Sequence, residues 1–221
     1  MKIYSVVGCT QSGSTLLFNI LQLIHDLKKI EYNSSWANES YEITKKIVIL
    51  KIHDFDKSHK DLCNKIFLPI RDFRDAAISA IKRGMSTTNT RSINKHIIKN
   101  IKRFNSWEPY ADYIFVYEKY MENKELIILE IANKLEIELN NEEIQLILKK
   151  IDILYNSNDI PEIDDFNNEL YKKTLLSKQH NTSNGQSKKY LTFFIKKQNK
   201  EILQNKQIYN FLKNQNYDIN I

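Results

Sequence analysis

The sequence predicts an α/β fold of three αβα layers, with a central, mostly parallel sheet and a P-loop-like phosphate-binding loop after the first strand. Three observations predict it. Short β-branched apolar runs alternate with amphipathic stretches of helical period. A glycine-containing loop, GCTQSGST at 8–15, joins the first such run to the first amphipathic stretch. Finally, Gly8, His53, Arg71 and Tyr117 each stand at the end of an expected strand. In parallel sheets ligands bind beyond the carboxyl ends of the strands, so one crevice can collect all four.

Residues 3–7, IYSVV, read as a buried strand. From 14 to 28, apolar residues at 16, 17, 20, 21, 24 and 27 mark a helix. Residues 31–44 are polar and aromatic without a period, which reads as loop or short helix. Strands follow at 47–52 and 65–70, then a helix at 72–83 that stops at Gly84. A polar loop at 85–91 precedes a helix at 92–106, and 113–117 is the next strand. Helices are expected near 122–137, 141–156 and 162–176. The polar stretch HNTSNGQSKK at 180–189 interrupts before a basic last helix at 195–213. Neither an internal repeat nor a linker divides the chain, so one domain over 1–221 is expected.

Composition narrows the function. With 221 residues and 42% hydrophobic content the chain can bury a sizeable core. The net charge of +6 suits an anionic partner, but the lysines are spread along the chain, which argues against nucleic acid. Cys9 and Cys63 each adjoin an apolar segment, and a reduced interior fits them better than a disulfide framework. The few residues before Gly8 are too short for a signal-peptide core, and no apolar run approaches the roughly 20 residues of a membrane span. A soluble, cytoplasmic protein is expected. His, Cys and carboxylate residues form no cluster with metal-ligand spacing, so no metal is expected.

Two of the four glycines of the chain lie in the loop at 8–15, with the spacing G-x-x-x-x-G-x-T of a phosphate-binding loop. Glycines let backbone amides turn toward an anion, and the following helix adds the positive end of its dipole. Ser12, Ser14 and Thr15 can add hydroxyl donors. An ordinary strand-to-helix turn with serine caps would use the same residues. The lysine that a nucleoside triphosphatase carries after the second glycine is replaced by Ser14, which argues against ATP hydrolysis. A second basic segment, PIRDFRDAAISAIKRG at 69–84, sets Arg71 and Ser79 eight residues apart, about two helical turns. Arginine forks well onto phosphate; it also pairs readily with Asp72 or Asp75 on a solvated helix.

The two segments together resemble the sulfotransferases that use 3′-phosphoadenosine 5′-phosphosulfate (PAPS). Members carry a [KR]-S-G-[ST]-T loop after the first strand, matched here by Gln11, Ser12, Gly13, Ser14 and Thr15, with Leu16 following. The resemblance implies that these residues hold the 5′-phosphosulfate side of the donor, and that Arg71 and Ser79 hold its 3′-phosphate. It assigns Lys51 and His53, from the Lys-x-His that ends the intervening strand, to catalysis, with His53 as general base. Tyr117, in the Tyr-Glu that ends a late strand, would approach the adenine. Ser183, Asn184, Gly185 and Lys188 would belong to a late loop closing over the 3′-phosphate.

Two places depart from the pattern. Gln11 stands where members have Lys or Arg, so Gln11 is a catalytic position without a charge, for which Lys51 is the best-placed substitute. In the late loop Ser183-Asn184 replace a basic pair, and Lys188 and Lys189 are the nearest cations. His180 reads as a surface residue. The implied reaction moves a sulfuryl group from PAPS to an acceptor hydroxyl on a carbohydrate, lipid or small metabolite, releasing adenosine 3′,5′-bisphosphate (PAP). Trp36, Tyr32 and Tyr41 are candidates for acceptor stacking or plain loop packing. A member that binds PAP or PAPS without transferring sulfate is the alternative. A P-loop kinase is a weaker one, with Asp54 as its one tempting acid, and a nucleic-acid binder rests on charge alone.

Overall fold

The computed structural model describes residues 1–37, 44–181 and 188–219. The chain runs through β1 (Lys2–Val7), α1 (Ser14–Leu27), β2 (Tyr32–Trp36), β3 (Ile47–Ile52), α2 (Lys57–Leu62), β4 (Lys65–Ile70), α3 (Phe73–Lys82) and α4 (Thr90–Trp107). It continues through β5 (Tyr113–Val116), α5 (Tyr117–Glu122), α6 (Lys124–Lys134), α7 (Asn141–Tyr155) and α8 (Glu169–Thr174). The last elements are α9 (Tyr190–Phe193), α10 (Lys196–Gln204) and α11 (Lys206–Asn214).

The strands form one sheet in the order β2-β3-β1-β4-β5, and every pairing is parallel. β1 and β4 are buried along nearly their whole length, which is why they read as unbroken apolar runs. Two hydrophobic layers cover the sheet. One joins Leu17, Phe18 and Leu21 of α1 to Phe115, Ile128 and Ile147. The other joins Phe73, Ile97, Phe104, Trp107 and Phe211 to Val7, Leu68 and Ile70. The three-layer αβα architecture expected from the alternation is therefore the one observed.

The register fixes where the strand ends fall. Val7 pairs with Ile52, Trp36 with Lys51, and Ile70 with Val116. Gly8, His53, Arg71 and Tyr117 consequently leave the sheet at one edge. From β1 the chain passes first to β2 and β3 on one side and then crosses to β4 and β5 on the other, so a crevice opens beyond β1 where the strand order reverses.

Some expectations fail for local reasons. The segment 31–44 contains a strand, β2, rather than loop or helix; YNSSW lacks the β-branched signal and forms an edge strand through its pairing with β3. Helix α2 was not expected and starts at Asp56, whose carboxylate accepts from the amides of Ser58 and His59. The helix expected near 122–137 forms as α6, preceded by the unexpected short helix α5 and capped by Asn123, whereas the last helix divides at Asn205; each asparagine caps its helix with its side chain. Of the helix expected at 162–176 only Glu169–Thr174 forms, capped by Asn168. Cys9 and Cys63 are both free thiols. Among the described residues no helix is long and apolar enough to cross a membrane.

Candidate active site

A cavity of about 650 Å³ lies at the carboxyl edge of the sheet and includes Gln11, Gly13, Ser14, Thr15, Leu16, Lys51, His53, Arg71, Ser79 and Tyr117 in its lining. Its size falls in the range of small-ligand sites. Residues from several strand ends and helix starts meet there, although they span more than a hundred positions of sequence.

The loop 8–13 is shaped by its glycines. Gly13 has φ of +89°, and a Cβ there would stand 2.7 Å from Tyr117 Cδ2, so any side chain would be strained twice over. Gln11 itself takes φ of +61°, in the left-handed region. Gly13 gives α1 no side-chain cap, and the first turn of α1 holds no acidic residue. The helix start thus offers backbone N–H groups and a positive dipole end to an anion. Ser12 is fully buried, and its hydroxyl donates to the carbonyl of Cys9 at 2.7 Å, so that hydroxyl braces the loop and only its backbone amide is left for a ligand. Asn100 of α4 splints the other side: its Oδ1 accepts from the amide and hydroxyl of Thr10, at 3.0 and 3.1 Å, and its Nδ2 donates back to the Thr10 carbonyl.

Lys51 and His53 point to the same end of the cavity, as alternation on a strand requires. Lys51 Nζ donates to Thr15 Oγ1 at 2.6 Å and lies 4.7 Å from the centre of the Trp36 ring. Burial, reinforced by the charge of Arg83, brings its pKa down to about 7. His53 Nδ1 lies 2.8 Å from the carbonyl oxygen of Gly8. A carbonyl only accepts, so Nδ1 carries the proton and Nε2 is the basic nitrogen. Enclosure by the protein and the nearby Lys51 charge push His53 down to about 3, which keeps the imidazole neutral. Trp36 stands edge-on to this ring, with centres 5.2 Å apart.

Arg71 and Ser79 occupy the other end. The Arg71 guanidinium lies 4.6 Å from the centre of the Tyr117 ring, and its Nη2 is 3.6 Å from Asp75 Oδ2. Ser79 Oγ bonds the Asp75 carbonyl one turn back at 3.2 Å. Asp75, wholly buried, also accepts from the amides of Tyr190 and Lys188. It therefore ties the late segment of the chain to the Arg71 end. Lys188 is exposed and Lys189 half-buried, both outside the cavity lining; burial and the charges of Lys82 and Arg71 hold Lys189 below its ordinary pKa. Ser183, Asn184 and Gly185 lie outside the described residues, as do Tyr41 and the side chain of His180.

The second Arg-Asp pair does different work. Arg74 is fully buried, forks onto Asp72, donates to the Asp218 carbonyl and stacks 3.6 Å from the centre of Tyr190. It fastens the C-terminal segment to α3. Tyr32 sits at the opposite end of β2 from Trp36 and bonds Asp26 at 2.9 Å. Asp54 is exposed and paired with Arg103 at 2.7 Å, outside the cavity lining. Among the described residues no three His, Cys, Asp or Glu side chains group as metal ligands.

Several lining or supporting residues escaped the sequence reading, among them the polar Arg83, Asn100 and Asp164. Arg83 Nη1 is 3.3 Å from Gln11 Oε1, and its Nη2 is 3.2 Å from Asp164 Oδ2. A motif search for a cation looks in the loop itself; Arg83 arrives from the end of α3, one helical turn beyond Ser79.

Neither protein-family models nor curated protein sequences match this chain. Solved structures do. The fold is similar to that of mouse sulfotransferase SULT7A1 complexed with PAP, with a TM-score of 0.68 and 18% identity over 96% of this chain and 88% of that one. It is also similar to retinol dehydratase in a complex with retinol and PAP, at TM-score 0.66 and 16% identity, covering 100% of this chain and 84% of the other. A second structure of retinol dehydratase, with androsterone and the inactive cofactor PAP, gives 0.67 and 15% over 100% and 83%. The chain has the fold of the PAPS-dependent sulfotransferases.

Proposed function

We propose that the protein is a sulfotransferase that binds PAPS in this cavity and moves its sulfuryl group to an acceptor hydroxyl, leaving PAP. One observation carries the reading. A single cavity holds an uncapped helix start with Lys51 and His53 at one end, and Arg71 with Ser79 at the other. Two separated anion sites suit a donor with phosphate groups on both the 5′ and 3′ oxygens of its ribose, and the apolar and aromatic groups Leu16, Tyr117, Ile151 and Tyr155 suit the base between or beside them. The left-handed Gly13, with Tyr117 where a Cβ would go, leaves the backbone close to the ligand space.

The donor supplies the sulfuryl group: its S–O bond to the 5′-phosphate breaks as the acceptor oxygen bonds sulfur, and the bond pair stays on the phosphate oxygen. His53 Nε2 takes the acceptor's proton, an assignment supported by the Nδ1–H bond to Gly8 that leaves Nε2 basic. The amides of 13–15, the α1 dipole and Lys51 stabilise the negative charge gained by the leaving phosphate. Trp36 holds Lys51 and His53 in register and borders the space for the acceptor. A binding-only protein is the competing reading, and the uncharged Gln11 is the observation that favours it.

Calorimetry with PAP against ATP tests the nucleotide, and incubation of the protein with ³⁵S-labelled PAPS and fractionated small-molecule and carbohydrate hydroxyl compounds tests the transfer. PAP is expected to bind at least about tenfold more tightly than ATP, because Arg71 and Ser79 have a 3′-phosphate to hold. Equal affinities would sink the reading. PAP binding with no labelled product in any fraction would favour the binding-only protein.

A further inference from the structure

We propose that Arg83 supplies the charge that Gln11 does not, receiving the sulfuryl end of the donor from the opposite wall of the cavity. The inference rests on the PAPS reading above.

The placement comes from α3. Arg83 follows Ser79 by one helical turn, so a single helix edge runs from the Arg71–Ser79 end of the cavity to the Lys51–His53 end. Arg83 reaches its terminus there with its Nη1 3.3 Å from Gln11 Oε1. Gln11 is thus more than a missing lysine: as a neutral acceptor it steadies a guanidinium at a place where a lysine side chain would repel it. The swap of an ammonium on the loop for a guanidinium on the helix leaves the number of cations at this end unchanged.

The side chain is built for a ligand rather than for the surface. It is 8% exposed, yet its partners are a neutral amide and a carboxylate that is itself 42% exposed. Its Nε is buried and has no hydrogen-bond partner among the described residues. A buried guanidinium with a donor left over is costly unless something accepts from it, and an anion in the adjoining space would. Arg83 is also close enough to Lys51 for its charge to disfavour the protonated amine. Two cations that oppose each other in this way are both relieved by an anion placed between them. Asp164 holds Arg83 through the exposed side and also bonds Ser177 Oγ at 2.7 Å, so the guanidinium has a resting partner it can share.

The test compares PAPS with PAP, which differ by the sulfuryl group alone. Calorimetric affinities for both are measured on the wild type, Arg83→Gln, Arg83→Lys and the double variant Arg83→Gln with Gln11→Lys. Arg83→Gln is expected to weaken PAPS about ten- to a hundredfold and PAP less than about threefold, as expected for loss of a charged hydrogen-bond donor at the sulfuryl group. Arg83→Lys should fall between, and adding Gln11→Lys should restore PAPS to within about threefold of wild type. PAP affinity retained in Arg83→Gln also demonstrates a folded site. Equal weakening of PAPS and PAP, or no restoration by Gln11→Lys, overturns the role of Arg83 while leaving the nucleotide reading standing. A wild type that binds neither PAPS nor PAP better than ATP overturns both.

Discussion

The two ends of the cavity are built on opposite electrostatic principles. At the Arg71 end the charge is permanent and supported: Asp75 and the Tyr117 face flank the guanidinium, and Ser79 adds a hydroxyl. At the Lys51 end Lys51 and His53 are both held toward neutrality. Burial and like charges bring Lys51 to about 7 and His53 to about 3. The first arrangement suits a group that must bind an anion and remain unchanged. The second suits groups that exchange protons and respond to charge that appears only during reaction. On the proposed reading, binding and transfer would be divided along the length of one helix and two strand ends, and mutations should separate them.

The largest separation is expected at His53. His53→Ala should lower the transfer rate by about a thousandfold, within the usual contribution of a positioned base, while PAP affinity stays within about twofold. Rates with saturating donor and calorimetry on the same variant check this. If affinity falls along with rate, the ends are not independent and His53 is supporting the Gly8 loop instead. Arg71→Ala should do the reverse. PAP binding is expected to weaken roughly a hundredfold, as for loss of charge-assisted hydrogen bonds, with the rate at saturating donor changed by less than about fivefold. A rate loss as large as the affinity loss would show that Arg71 orients the sulfuryl end too.

How much of this was readable beforehand follows from what each residue depends on. The strands β1, β3 and β4 and the helices α1 and α3 were legible because burial imposes a run or a period on their sequences. β2 was not, because YNSSW takes its conformation from pairing with β3. The strand-end residues were placed by topology: Gly8, His53, Arg71 and Tyr117 emerge together because the register is level, and all but Gly8, which faces Leu68 and Trp107, line the cavity. Arg71 and Arg74 show the limit. Both sit in the same Arg-Asp pattern, yet one lines the cavity and the other is fastened to Asp72, Tyr190 and the Asp218 carbonyl. Which arginine faces the cavity depends on where the last segment of the chain packs, and no local signal carries that. Arg83 and Asn100 were hidden for the same reason, since each meets the loop only through the packing of its helix.

The smallest effect expected, and the one most diagnostic of the contrast, is in pH. Lys51 is a base whose pKa is lowered, so its cation is present below about pH 7 and is lost as pH rises above it. His53, lowered to about 3, is already neutral throughout the range where the protein would be assayed, so it contributes no loss of rate on the acid side between about pH 5 and 7. The profile of kcat/KM, which reports the free enzyme, should therefore be level from pH 5 to 7 and fall by about tenfold per unit above the Lys51 pKa. The profile of kcat should break at higher pH, because a bound anion beside Thr15 favours the protonated amine. Lys51→Arg keeps the charge at every accessible pH and should remove the alkaline fall. A fall that persists unchanged in that variant would assign it to another group, and an acid limb near pH 6 would mean that His53 is solvated like an ordinary histidine. Either result would remove the contrast between a permanently charged binding end and a proton-exchanging transfer end.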